Sequence, residues 1–196
     1  MLKIEYIWRE LLYRTIEEKK NNFTLTDLSL KFKLSTSVVS HALFPLREIG
    51  MVKIGKNKSQ VIDTERLLMY WATRRSVKKD IIYQTHSSLP VLAREASMPH
   101  GVFPTAYSGF AYYKKDPPAD YENIYYYTEC LDEVIKRFPQ NNKKPNLFIL
   151  ATDPYHKIYL HTSLSQIFVD LWNLPEWYAK EFSQEALSIV KERIGL

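Results

Sequence analysis

Apolar and polar positions change rhythm along this chain, and the changes mark its elements. In "MLKIEYIWRELLYRTIEEKK", Leu2, Ile4, Ile7, Leu11, Leu12 and Ile16 recur at helical spacing, which predicts an amphipathic helix. "FTLTDLSLKFKL" opens with Thr24 and has Asp27 three residues later, a capping-box pattern with Asp in place of Glu or Gln. Leu25, Leu28 and Phe32 then share one face. Ser35 is the next cap, so a tight turn is expected near Lys33 and Leu34. The helix that follows turns Val39, Ala42, Leu43 and Leu46 inward. Thr36, Ser37, Ser40 and His41 lie outward, with Val38 at the border. Pro45 removes a backbone donor, so the helix is expected to continue but to be distorted near His41 to Leu46. Gly50 reads as the residue that closes the helix. "MVKI", the turn "GKNKS" and "QVI" then read as a hairpin.

Two helices joined by a short turn, the second with small polar groups outward, predict a helix-turn-helix. In "LSTSVVSHALFPLREIGMVKI", residues 23–62 resemble the winged helix-turn-helix of bacterial and archaeal transcription regulators. The chemistry expected of such a module gives each residue a role. Thr36, Ser37 and Ser40 can bond bases or phosphates, Val38 can touch a thymine methyl, and His41 can meet a phosphate or a base edge. Lys53, Lys56 and Lys58 on the wing would bind phosphate. The alternative is a winged helix that packs on another protein.

"DTERLLMYWATRRSVKKD" predicts a linking helix capped by Asp63 or Thr64, with Leu67, Leu68, Trp71 and Ala72 inward. Its basic end includes Arg74 and Arg75. These arginines either touch flanking phosphates or answer the helix dipole. Beyond it, short strands are expected at "IIYQTH", "ENIYYYTE", "NLFILAT" and "KIYLHT". Helices are expected at "SLPVLAREAS", "PTAYSGFAYYK", "CLDEVIKRF", "SLSQIFVDLWNL" and "EWYAKEFSQEALSIVKERI". The fold class is therefore α+β. A winged helix-turn-helix domain with its linker helix occupies residues 1–80, and a small mixed α/β effector or interaction domain occupies residues 81–196.

The order of "PTAYSGFAYYK", "IYYYTE", "NLFILAT" and "SLSQIFVDLWNLPEWYAKEFSQEAL" resembles the abortive-infection type IV antitoxin (AbiEi) family. Gln166, Asp170 and Leu171, followed by Pro175, carry most of that likeness. The resemblance implies a regulator that represses its own operon, with a toxin as a possible partner.

Charge divides the chain at the same boundary. The net charge is +5, made of +7 over residues 1–80 and −2 over residues 81–196. A basic first half suits a polyanion, here double-stranded DNA. No apolar run approaches a membrane span and the start lacks a secretory pattern, so a cytoplasmic protein with no membrane partner is expected. Cys130 is the one cysteine, so no intrachain disulfide forms. A Gly-rich phosphate loop and a nucleophile elbow are both missing, and the five histidines lack zinc spacing. No enzyme activity, metal or cofactor is expected. Asp170 reads as a cap or a buried salt bridge, with a functional acid as the alternative, and Asp153 in "TDPY" reads as a turn residue. Tyr112, Tyr113, Tyr125, Tyr126 and Tyr127 either line a ligand pocket or fill the sheet and core. A homodimer is expected through the first helix, because Ile7, Leu11 and Tyr13 exceed what a small winged helix must bury. The alternative function is a protein-interaction adaptor, or an antitoxin that grips a partner through residues 81–196.

Overall fold

The helical spacing at the start of the chain builds α1 (Lys3–Ile16) in the computed structural model, which describes residues 1–56 and 58–196. Nearly every side of α1 is buried, from Glu5 through Leu12. A helix buried all round belongs at the centre of a fold. Here α1 packs on α3 (Thr36–Glu48), α4 (Thr64–Arg74), α8 (Leu164–Trp172) and α9 (Ala179–Ile194). Ile7 and Leu11 are therefore core residues and no dimer face, and Tyr13 packs edge-on against Tyr159. The apolar excess that suggested a dimer contact is absorbed by the second half of the same chain. One hydrophobic cluster runs from Ile7 and Leu46 through Trp71 to Phe168 and Phe182.

The fold is mixed α+β, with nine α-helices and two small sheets among the described residues. The first sheet contains β1 (Asn22–Phe23), β2 (Val52–Lys53) and β3 (Ser59–Val61), antiparallel in the order β1-β3-β2. Between β1 and β2 come α2 (Leu25–Phe32) and α3. Thr24 Oγ1 accepts the Asp27 N–H at 3.0 Å, and Ser35 Oγ accepts the Val38 N–H at 3.3 Å, so both caps form. Gly50, at φ +75°, closes α3 with two bonds, Gly50 N–H to the Arg47 carbonyl and Met51 N–H to the Leu46 carbonyl. The helix continues through Pro45 to Glu48, within the span that Gly50 was expected to close. Burial of Val39, Ala42, Leu43 and Leu46 holds the turn that Pro45 weakens, and the Trp8 indole donates to the Ala42 carbonyl at 2.9 Å. The expected turn residue Asn57 lies outside the described residues.

Asp63 caps α4, whose Trp71 donates to Glu5 of α1 at 3.0 Å. A 3-10 turn (Val77–Asp80) leads into the second sheet. Its strands β4 (Ile81–Thr85), β5 (Val102–Thr105), β6 (Ile124–Thr128) and β7 (Leu147–Ala151) lie in the order β4-β7-β6-β5. Only the β6–β7 pair is parallel, and α7 (Leu131–Arg137) crosses between them. Ile124, Tyr126, Leu147 and Ile149 cover one face with Val134 and Phe138, while Tyr125, Tyr127 and Leu150 join the main core. Two expectations fail here. Val102–Thr105 is an edge strand, and only Ala106–Phe110 is helical as α6. "KIYLHT" is no strand; His156–Ile158 form a 3-10 turn, Tyr159 is buried and Leu160 is 97% exposed. No helix among the described residues is long and apolar enough to cross a membrane.

Candidate nucleic-acid interface

The outward face of α3 is built by its inward one. Four buried residues fix the rotation of the helix, so Thr36, Ser37, Ser40 and His41 are all exposed and Val38 is half-buried. The Ser35 cap leaves the first turn of α3 open to solvent, and no acidic residue lies in it. The positive end of the helix dipole thus stands beside short polar side chains, an arrangement that favours an anion.

Lys53 on β2 pairs in register with Gln60 on β3 and points outward. Lys56 and Lys58 are exposed on the connection between these strands. Arg74, exposed at the end of α4, holds its guanidinium 5.2 Å from the Tyr70 ring centre. Among the described residues none of these four cations forms an ion pair. Arg47, the arginine of α3, is paired with Glu48 at 3.1 Å and lies over the Phe44 ring. Lys33 joins the exposed set. It occupies the turn between α2 and α3 at φ 48°, and its place two residues before the Ser35 cap was the signal that could have marked it.

Arg75 is not part of this surface, which corrects its assignment to DNA. It is 5% exposed and faces the second sheet. Its Nε lies 3.2 Å from Asp170, Nη1 bonds Asp80, and Nη2 donates to Tyr127 at 2.9 Å. Tyr127 and Thr105 both donate to Asp170, at 2.7 and 2.8 Å. Asp170 is therefore the buried salt-bridge acid foreseen as one of its readings. Burial would lower the Arg75 pKa, but the Tyr127, Asp170 and Asp80 oxygens outweigh it and hold the guanidinium charged.

Asp153 is the turn residue expected in "TDPY", its carbonyl accepting the His156 N–H at 3.1 Å and its Oδ1 the Tyr155 N–H at 3.0 Å. It is also more than that, because both of its carboxylate oxygens accept from Arg9 of α1, at 2.7 and 2.8 Å. Arg9 also donates to Gln166 at 3.1 Å and stacks over Tyr159 at 4.8 Å. Burial would raise the Asp153 carboxyl, and His156 and Arg9 outweigh burial to hold it well below the usual carboxylate range. Gln166 and Asp170, prominent in the family resemblance, thus serve as buried anchors for α1 and α4. They set how the helices under the exposed face are held. Comparison with family models, with curated proteins and with solved structures finds no match.

Proposed function

We propose that the chain is a sequence-specific, DNA-binding transcription regulator of the cytoplasm, with residues 23–62 as a winged helix-turn-helix. The observation that carries this is the outward face of α3. Its first two turns present Thr36, Ser37, Ser40 and His41 to solvent and hold no acidic group, and Lys53, Lys56, Lys58 and Arg74 are exposed cations without an ion pair among the described residues. Thr36, Ser37, Val38, Ser40 and His41 would enter the major groove, and the cations would meet phosphates. The regulator would act by occlusion or recruitment at a promoter, without chemistry of its own. An antitoxin-like repressor of its own operon fits this mode. A homodimer on paired half-sites would need a surface other than α1, which the core consumes.

A second reading, an adaptor that grips a partner protein through residues 81–196, draws on the large apolar side chains exposed there, such as Leu92 and Leu160. Fluorescence anisotropy with DNA from upstream of its own gene, set against shuffled DNA over a salt series, separates the two. A regulator gives tighter binding to the native sequence and a steep salt dependence. An adaptor gives neither.

A further inference from the structure

A cleft of about 1380 Å³ opens beside β4, between the second sheet and the segment that joins α8 to α9. Its aromatic wall is Tyr125 stacked on Phe148, with ring centres 4.7 Å apart and planes 9° from parallel. Trp177 stands at the rim, 74% exposed, edge-on to Tyr178. The Tyr178 hydroxyl accepts the backbone N–H groups of Glu122 and Asn123, which pins the connecting segment to the start of β6.

Glu176 lies in this wall. Its carboxylate accepts from the Tyr125 hydroxyl at 2.7 Å, the Tyr107 hydroxyl at 3.1 Å and the Asn123 amide. All three donors are neutral. Among the described residues no cation reaches Glu176 within ion-pair distance. Three fixed donors orient the carboxylate but leave its charge uncompensated, in a half-buried place where low-dielectric walls strengthen its field. Burial raises the pKa of Tyr107 and Tyr125, and Glu176 raises both further, so both hydroxyls remain donors.

We propose that this cleft binds a small organic monoamine, its ammonium at Glu176 and its apolar body between the Tyr125–Phe148 wall and Trp177. A cation at that point gains the carboxylate and aromatic faces together. Lys78 and Lys144 also line the cleft. Lys78 precedes β4 at the end where Ile81 pairs with Leu150, whereas Lys144 precedes β7 at the opposite end of that strand pair and forms no ion pair with Glu176 among the described residues. Lys78, at the end away from Glu176, opposes a second ammonium there and so selects a monoamine over a polyamine.

The test titrates the whole chain, without DNA, with 2-phenylethylamine. Matched probes are 2-phenylethanol, 3-phenylpropionate and spermidine, followed by tryptophan fluorescence and calorimetry. The amine is expected to saturate, the alcohol to bind about tenfold or more weakly, and the carboxylate and polyamine weaker still. Glu176→Gln keeps the size and an acceptor and should lose about tenfold for the amine, with little change for the alcohol. Trp177→Ala, at an exposed position, should weaken amine and alcohol alike and serves if Glu176→Gln melts early. Equal binding of amine and alcohol, wild-type affinity in Glu176→Gln, or no saturable amine binding by about 10 mM would each overturn the proposal. Since no DNA is present, none of these outcomes bears on the DNA-binding reading.

Discussion

Arg9 holds Asp153 by two parallel hydrogen bonds across 144 residues of sequence, and both side chains are buried. The pair joins the central helix to the loop that leaves the second sheet. Paired, the two charges satisfy one another; with one removed, the other is stranded in the core. Asp153→Ala should therefore cost about 3–5 kcal/mol of stability. Asp153→Asn, which can still accept one bond, should cost less. Chemical denaturation monitored by far-ultraviolet circular dichroism measures both, and an alanine variant as stable as wild type would remove the pair from the account.

The same pair gives an acid dependence with a definite sign. The folded Asp153 carboxyl lies below its unfolded value of about 3.9. Its contribution is complete above that unfolded value and is lost as pH falls through the folded one. Wild-type melting temperature should then drop steeply below about pH 4, and the drop should be shallower in Asp153→Asn. Parallel curves for the two proteins would show that Asp153 is not the titrating group.

Arg74 and Arg75 are adjacent in sequence and opposite in consequence. Arg74→Ala should leave melting unchanged within about 0.5 kcal/mol and weaken DNA binding. Arg75→Ala strands Asp170 among Thr105 and Tyr127 and should cost about 3–5 kcal/mol. Melting and binding assays on both single variants check the contrast. An Arg75→Ala protein that melts like wild type would contradict the buried assignment.

The hairpin lysines should act on affinity without choosing sequence. Replacing Lys56 and Lys58 with alanine should weaken native and shuffled DNA equally. The slope of log affinity against log salt should fall by about 1 per lost phosphate contact. An unaltered slope would take the hairpin out of the interface.

Local signals in the sequence carried the exposed face of α3. The caps at Thr24 and Ser35, the spacing of Val39, Ala42, Leu43 and Leu46, and Gly50 all act within a few residues, and all appear where the pattern put them. What the sequence hid was long-range. Arg75 has one nearby partner in Asp80, but Tyr127 and Asp170, which draw it into the core, are 52 and 95 residues away. The turn at Asp153 was legible, but its pair with Arg9, 144 residues away, was not. Val102–Thr105 was hidden by Pro104, which an edge strand tolerates and a helix start also favours. The apolar run in "KIYLHT" reads like a short strand, but Tyr159 is held inward by Arg9 and Glu10, and Ile158 and Leu160 lie outside.

The central claim is that the outward face of α3 reads bases, and Ser40→Ala combined with His41→Ala tests it most directly. Both side chains are exposed, so the double variant should melt like wild type. Each direct base contact is worth about 1–3 kcal/mol of discrimination. Competition between native upstream DNA and shuffled DNA at one fixed salt concentration is the decisive measurement. The account predicts that the preference for native DNA disappears while binding to shuffled DNA persists through Lys53, Lys56, Lys58 and Arg74. A folded double variant that keeps the wild-type preference would contradict it.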